Sequence, residues 1–213
     1  MKNIKSEAFL WVQLGGFVLI WVALLYVTGT SLAINWEAVE KLPDAVTIYV
    51  VTAFVFTKWL WRLRMFSGWL VPFPDLQGTW KGELKSTWKD ASGQRIPAIS
   101  VVLVIRQTFS SVSCTVFTKE SESYSTAAQI VRDEESGTIR LDYNYTNRPK
   151  AIIRERSAIH DGAARLRVVT VPSLRMEGEY WTSRCTSGDV AVSFQGRELA
   201  DSYRPDEFGE SAT

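Results

Sequence analysis

One histidine and two cysteines leave this chain of 213 residues little chemistry that depends on nitrogen or sulphur ligands. His160 cannot build a metal site alone, and no Cys/His spacing suggests zinc. Cys114 and Cys185 are too few for a secreted disulfide framework. Both fall in strand-like runs, where the expected role is that of a small buried hydrophobe. Gly-rich phosphate loops, nucleophile elbows and HExxH segments are missing, and Asp133-Glu134-Glu135 sits where an exposed turn is expected. The chain therefore reads as non-enzymatic and without a cofactor. Excess charge of one sign is lacking too. The six Lys/Arg and four Asp/Glu of residues 1–73 leave eighteen and nineteen for residues 74–213, a balance of −1. Such a domain has no broad field for DNA or RNA polymers, so an anionic ligand must meet a local group of arginines.

At the N-terminus the missing quantity is polarity. From Ala8 to Thr28 only Gln13 is strongly polar, and the run is long enough to cross about 30 Å of hydrocarbon as a helix. A second apolar run starts behind Pro43-Asp44, and with Lys58 snorkelling it gives a second spanning helix over 45–63. The competing readings are a cleaved signal peptide ending near Ser31-Leu32-Ala33 for the first run, and a buried core helix for the second. Positive charge flanks the pair: Lys2 and Lys5 before it, Lys58, Arg62 and Arg64 after it. The connection 31–44 has Lys41 against Glu37, Glu40 and Asp44. Both termini are thus expected in the cytoplasm. Trp11, Trp36, Trp59, Trp61 and Trp69 fall near the expected interfaces. With no ion pathway at depth, residues 1–73 read as a transmembrane hairpin that acts on a membrane only by assembling.

Behind Val71-Pro72-Phe73-Pro74 the period changes to two. In 76–88 the even positions are apolar or small while Lys81, Glu83 and Lys85 take the other face. Further strand-like runs cover 97–109, 112–118, 124–131, 138–146, 151–160, 164–171, 175–185 and 189–197. Breaks are expected at Ser92-Gly93, Asn147–Pro149, Asp161-Gly162 and Ser187-Gly188, among others. Short strands at hairpin spacing, without a long amphipathic helix, predict an all-β domain over 74–200. Its expected form is a small closed antiparallel β-barrel of about eight strands, because closure removes edges and leaves a mouth for one ligand. The polar tail 201–213 is expected to be disordered.

Alternation places Tyr180, Thr182 and Arg184 on one face of 175–185, with Met176 and Gly178 further along it. An aromatic ring, a hydroxyl and a guanidinium in line suit a base and a phosphate. A second group, Tyr143, Tyr145, Arg148, Arg154 and Arg156, gathers around one hairpin. Against both stands the plainer reading, in which inward aromatics fill a core and outward arginines are solvated.

The two apolar helices, Pro74-Asp75-Leu76-Gln77-Gly78-Thr79-Trp80-Lys81-Gly82, and Gly178-Glu179-Tyr180-Trp181-Thr182-Ser183-Arg184 with Gly188 resemble one family across nearly the whole chain. It is the two-transmembrane β-strand-rich effectors of CBASS, the bacterial antiphage system based on cyclic oligonucleotides. The resemblance implies a barrel that senses a cyclic dinucleotide made by a partner nucleotidyltransferase, a CD-NTase. Binding would then drive self-association, inner-membrane disruption and abortive infection. Tyr180, Thr182, Arg184, Tyr145 and Arg154 are the ligand contacts expected on chemical grounds. Two other functions fit the same pattern: a membrane-tethered lipocalin-like barrel for an apolar molecule, and a module that binds a protein through its exposed sheet.

Overall fold

The computed structural model describes residues 6–33, 35–68, 70–90, 92–133 and 135–205, with side chains from Leu10 onward. Lys2, Lys5, Trp69, Glu134 and the tail from Asp206, on which parts of the expectations above rest, lie outside the described residues. The chain divides into two compact units at Pro72/Phe73.

In the first unit, α1 (Ser6–Val27) has a mean hydropathy of 2.1 over Leu10–Val27. Among the described residues it is the one helix long and apolar enough to cross a membrane. The second apolar run differs from expectation. It forms α3 (Leu42–Lys58), 17 residues, beginning earlier than 45 and ending well before 63. At about 25 Å it falls short of the roughly 30 Å of a hydrocarbon core. Trp59 leaves helical geometry at φ −130°, and 3-10 turns follow at Leu60–Arg62 and Arg64–Phe66. Phe66 meets Phe56 edge-on with centroids 5.2 Å apart, so the chain turns back beside the end of the helix instead of extending it. Between the long helices, α2 (Trp36–Glu40) is capped by the Asn35 side chain, which accepts from the Ala38 N–H. Trp21 donates Nε1–H to the Ala38 carbonyl, and Phe17 packs edge-on against Tyr49. Thr47 and Thr57 bond to carbonyls one turn back, which satisfies their hydroxyls without a polar partner.

The second unit is a closed eight-stranded barrel. Its strands are β1 (Gly78–Ser86), β2 (Ile99–Gln107), β3 (Val112–Phe117), β4 (Ser121–Arg132), β5 (Ile139–Pro149), β6 (His160–Val169), β7 (Arg175–Thr182) and β8 (Ser187–Gly196). Each pairs antiparallel with the next, and β8 returns to β1. Alternation sends Trp80, Leu103, Ile105, Leu141, Leu166 and Met176 inward, where they are almost fully buried. Several expectations fail here; Ser187-Gly188, expected as a break, is paired in β8 opposite Trp181 and Tyr180. Residues 151–159 are not a strand: Ala151–Ile153 is a 3-10 turn, Ile152 and Ile159 are exposed, and the strand begins only at His160. The expected break at Asp161-Gly162 is instead paired in β6, opposite Thr146 and Tyr145.

The end of the barrel at which the chain enters is plugged. Trp80 donates Nε1–H to the Leu76 carbonyl, the Leu76 N–H donates to Gln107 Oε1, and Gln107 donates its amide to the Pro74 carbonyl. Phe73 rests on Phe109 above this knot. On the outer wall, β2 is apolar on its second face as well. Val102 and Val104 are covered by Phe117, Ala200 and Tyr203. Thr79 ties this strap down, donating to the Glu198 carbonyl and accepting from the Ala200 N–H. The chain therefore stays on the barrel to Tyr203, and the expected disorder does not begin at Asp201.

Candidate ligand cavity of the barrel

Opposite the plug the barrel is open, and a cavity of about 790 Å³ descends from the mouth into the lumen. That volume lies inside the range of roughly 300–1,000 Å³ typical of small-molecule sites. Its deep wall carries three tyrosines. Tyr143 and Tyr145 are neighbours on β5 with ring centroids 5.9 Å apart, and Tyr180 enters from β7. Each faces a small residue on the next strand: Tyr143 is opposite Ala164, Tyr145 opposite Gly162 and Tyr180 opposite Gly188. The glycines are needed for the rings. A Cβ on Gly162 would stand 2.5 Å from Tyr145 Cζ, and one on Gly188 would stand 2.6 Å from Tyr180 Cε1. The rings consequently lie against the barrel wall and offer their faces and phenols to the space above.

Burial pushes all three phenols above the ordinary tyrosine value. For Tyr145 the shift reaches about 12, from burial first and then Tyr180; Tyr180 is drawn partly back by Ser86 and Arg184. The phenols are neutral donors at physiological pH. Polar groups cluster nearer the mouth. Thr182 shares a hydroxyl bond with Thr186 and accepts the Arg184 N–H. Arg184 reaches Ser157, and Arg156 is ion-paired with Glu120.

Tyr180, Thr182, Arg184 and Tyr145 thus line one cavity. Arg184 arrives by a different route from the expected one: β7 ends at Thr182, and a tight turn through Cys185, at φ 59°, aims the guanidinium. Cys185 is exposed in that turn and not a buried hydrophobe, whereas Cys114 is buried and its thiol pushed up by desolvation. Arg154 is outside the cavity wall. It is exposed and donates Nε–H to the Pro149 carbonyl, while Arg156 stands at the mouth in its place. Ser123 and Asn147 are among the wall residues that escape sequence reading. Asn147-Arg148-Pro149 carries turn residues, yet β5 runs on through Pro149, and alternation continued from Tyr145 would have pointed Asn147 inward.

Similarity to known proteins agrees with this geometry. The chain is 28% identical to CD-NTase-associated protein 15 of Escherichia albertii over 161 residues, covering 72% of this chain and 80% of that protein. The family model described as Cap15, cyclic dinucleotide receptor domain, matches residues 71–193, which begin at the linker and end within β8. An open barrel with an aromatic floor and a cationic mouth, matched over more than half of its chain, belongs to the Cap15 family of CBASS effectors, whose barrel is a cyclic dinucleotide receptor domain.

Proposed function

We propose that a cyclic dinucleotide enters the cavity with its bases against Tyr145 and Tyr180 and its phosphates toward Arg184 and Arg156, and that the occupied barrel self-associates and disrupts the inner membrane. The observation that carries this reading is the division of the lumen. The plugged half is filled by apolar side chains, Trp80, Ile105, Leu141, Leu166 and Met176. Among the described residues, the cavity lies in the half with tyrosines and, at its mouth, arginines, with Leu84, Val101, Val190 and Val192 also in its wall. Two bases ask for stacking faces and two phosphates for cationic donors, and that half supplies both. A lipid-like ligand gains little from the Arg184 guanidinium at the mouth.

The remaining steps follow from anchoring and linkage. α1 supports attachment to the bilayer; a second pass with both termini in the cytoplasm would need α3 to be extended across the core by its Trp-rich exit, Trp59 to Arg62, at the interface. A silent monomer requires a ligand that binds the assembled state more tightly than the free one. The name of the Escherichia albertii relative supports a CD-NTase as the source of that ligand. Loss of membrane integrity then ends the infected cell.

The test uses the full chain in detergent micelles, with melting temperature and particle mass followed against a panel of cyclic dinucleotides. Wild-type protein is expected to melt several degrees higher and to grow in mass with at least one of them, since a ligand at 100 Kd adds about 2.7 kcal/mol. Arg184→Ala and Tyr180→Ala are expected to weaken that ligand about tenfold or more. A flat melting temperature with every cyclic dinucleotide at millimolar concentration removes the receptor reading.

A further inference from the structure

Ser123 and Asn147 face each other across the β4–β5 ladder, both turned into the cavity. The Ser123 hydroxyl donates to Asn147 Oδ1 at 2.8 Å. Asn147 is 8% exposed, so more than nine-tenths of it is buried. Among the described residues its amide nitrogen Nδ2 nevertheless has no hydrogen-bond partner. An NH2 without a protein partner in the wall of a cavity is available to whatever enters it.

The bond from Ser123 also fixes what the amide can read. A free asparagine pairs with adenine in a bidentate way, accepting from the N6 amino group and donating to N7. With Ser123 on one lone pair of Oδ1, the unspent capacity of Asn147 lies chiefly in its two Nδ2 donors. Beside adenine N1 or N7 stands the N6 amino group, which places donor against donor. Guanine presents O6 and N7 as adjacent acceptors, and uracil presents carbonyl oxygens. We propose that Asn147, oriented by Ser123, is a base-reading residue of the cavity, and that the preferred ligand carries at least one carbonyl-bearing base, guanine or uracil. This rests on the cyclic dinucleotide reading above and names the ligand within that class.

The experiment measures affinities of the full chain in detergent for cyclic di-GMP, cyclic di-UMP, a mixed guanine–adenine cyclic dinucleotide and cyclic di-AMP. The readout is the ratio of affinities, not their absolute size. Wild type is expected to bind the tightest carbonyl-bearing ligand about tenfold or more over cyclic di-AMP, a tenfold ratio being about 1.4 kcal/mol. Asn147→Asp keeps the shape and the bond from Ser123 but turns the inward group into an acceptor, so the ratio should fall toward one or invert. Ser123→Ala, a smaller change to the barrel, frees the amide to pair with adenine and should narrow the ratio by raising affinity for cyclic di-AMP. Binding of cyclic dinucleotides with no base preference, or a ratio unchanged in both variants, overturns the role of Asn147 and leaves the receptor reading intact. Failure of wild type to bind any member of the panel overturns both.

Discussion

The phenol of Tyr145 titrates where it does because of what lies across the ladder. Gly162 leaves room for the ring to lie against the wall, and the resulting burial raises its value to about 12. Tyr143 and Tyr180 shift the same way. A raised phenol means that the folded barrel holds the neutral form more strongly than the unfolded chain does. The stability from this source is whole below about pH 10 and is lost as pH rises toward 12, because the unfolded chain then binds fewer protons than the folded one. Chemical denaturation across pH 8–12 should show stability falling from about pH 10, and Tyr145→Phe should flatten the slope. At this scale the sequence was informative wherever strand alternation held. It placed Tyr180, Thr182 and Tyr145 correctly toward one interior. It misplaced Arg154, since the run 151–159 is a turn with exposed isoleucines that mimic the apolar beat of a strand.

Among the elements, β2 departs furthest from the simple rule for an antiparallel wall. Its inner positions, Val101, Leu103 and Ile105, follow the expected alternation, but Val102 and Val104 on the outer face are just as deeply buried. The C-terminal strap accounts for this by laying Ala200 and Tyr203 over them. Tyr203→Ala should lower stability by about 1–3 kcal/mol, less than a fully buried aromatic because the ring is only partly covered. Thermal melting with and without ligand checks it. An equal melting temperature would mean that the strap contributes nothing to the wall. The helices give a parallel lesson. Hydropathy located both apolar runs, yet the end of α3 depends on how Phe56 and Phe66 pack, a contact between residues that no periodicity joins.

For the molecule as a whole, two devices are joined in one chain, an apolar helix and a closed barrel with one end shut. Leu19, exposed in α1, faces away from its helical neighbours. Leu19→Arg places a charge mid-helix at a cost of about 2.5–3.5 kcal/mol on insertion scales. The variant should shift from the membrane pellet toward the soluble fraction on cell fractionation, with the barrel still responding to ligand in detergent. A variant that pellets as wild type does would show that α1 is not the principal anchor.

From the sequence alone came the class of each part: an apolar N-terminus, a β-rich domain of near-neutral charge at hairpin spacing, and most of the inward-facing aromatics. These are local properties, set by periods of two or 3.6 and by the polarity of single residues. Closure of β8 onto β1, the plug of Trp80, Leu76 and Gln107, and the helix end at Lys58 were decided only by tertiary structure. So was the pairing of Ser123 with Asn147, which holds the amide by one of its acceptor sites. Each depends on residues distant in sequence meeting at hydrogen-bond or van der Waals distance, and no local pattern encodes which of many compatible partners will be met.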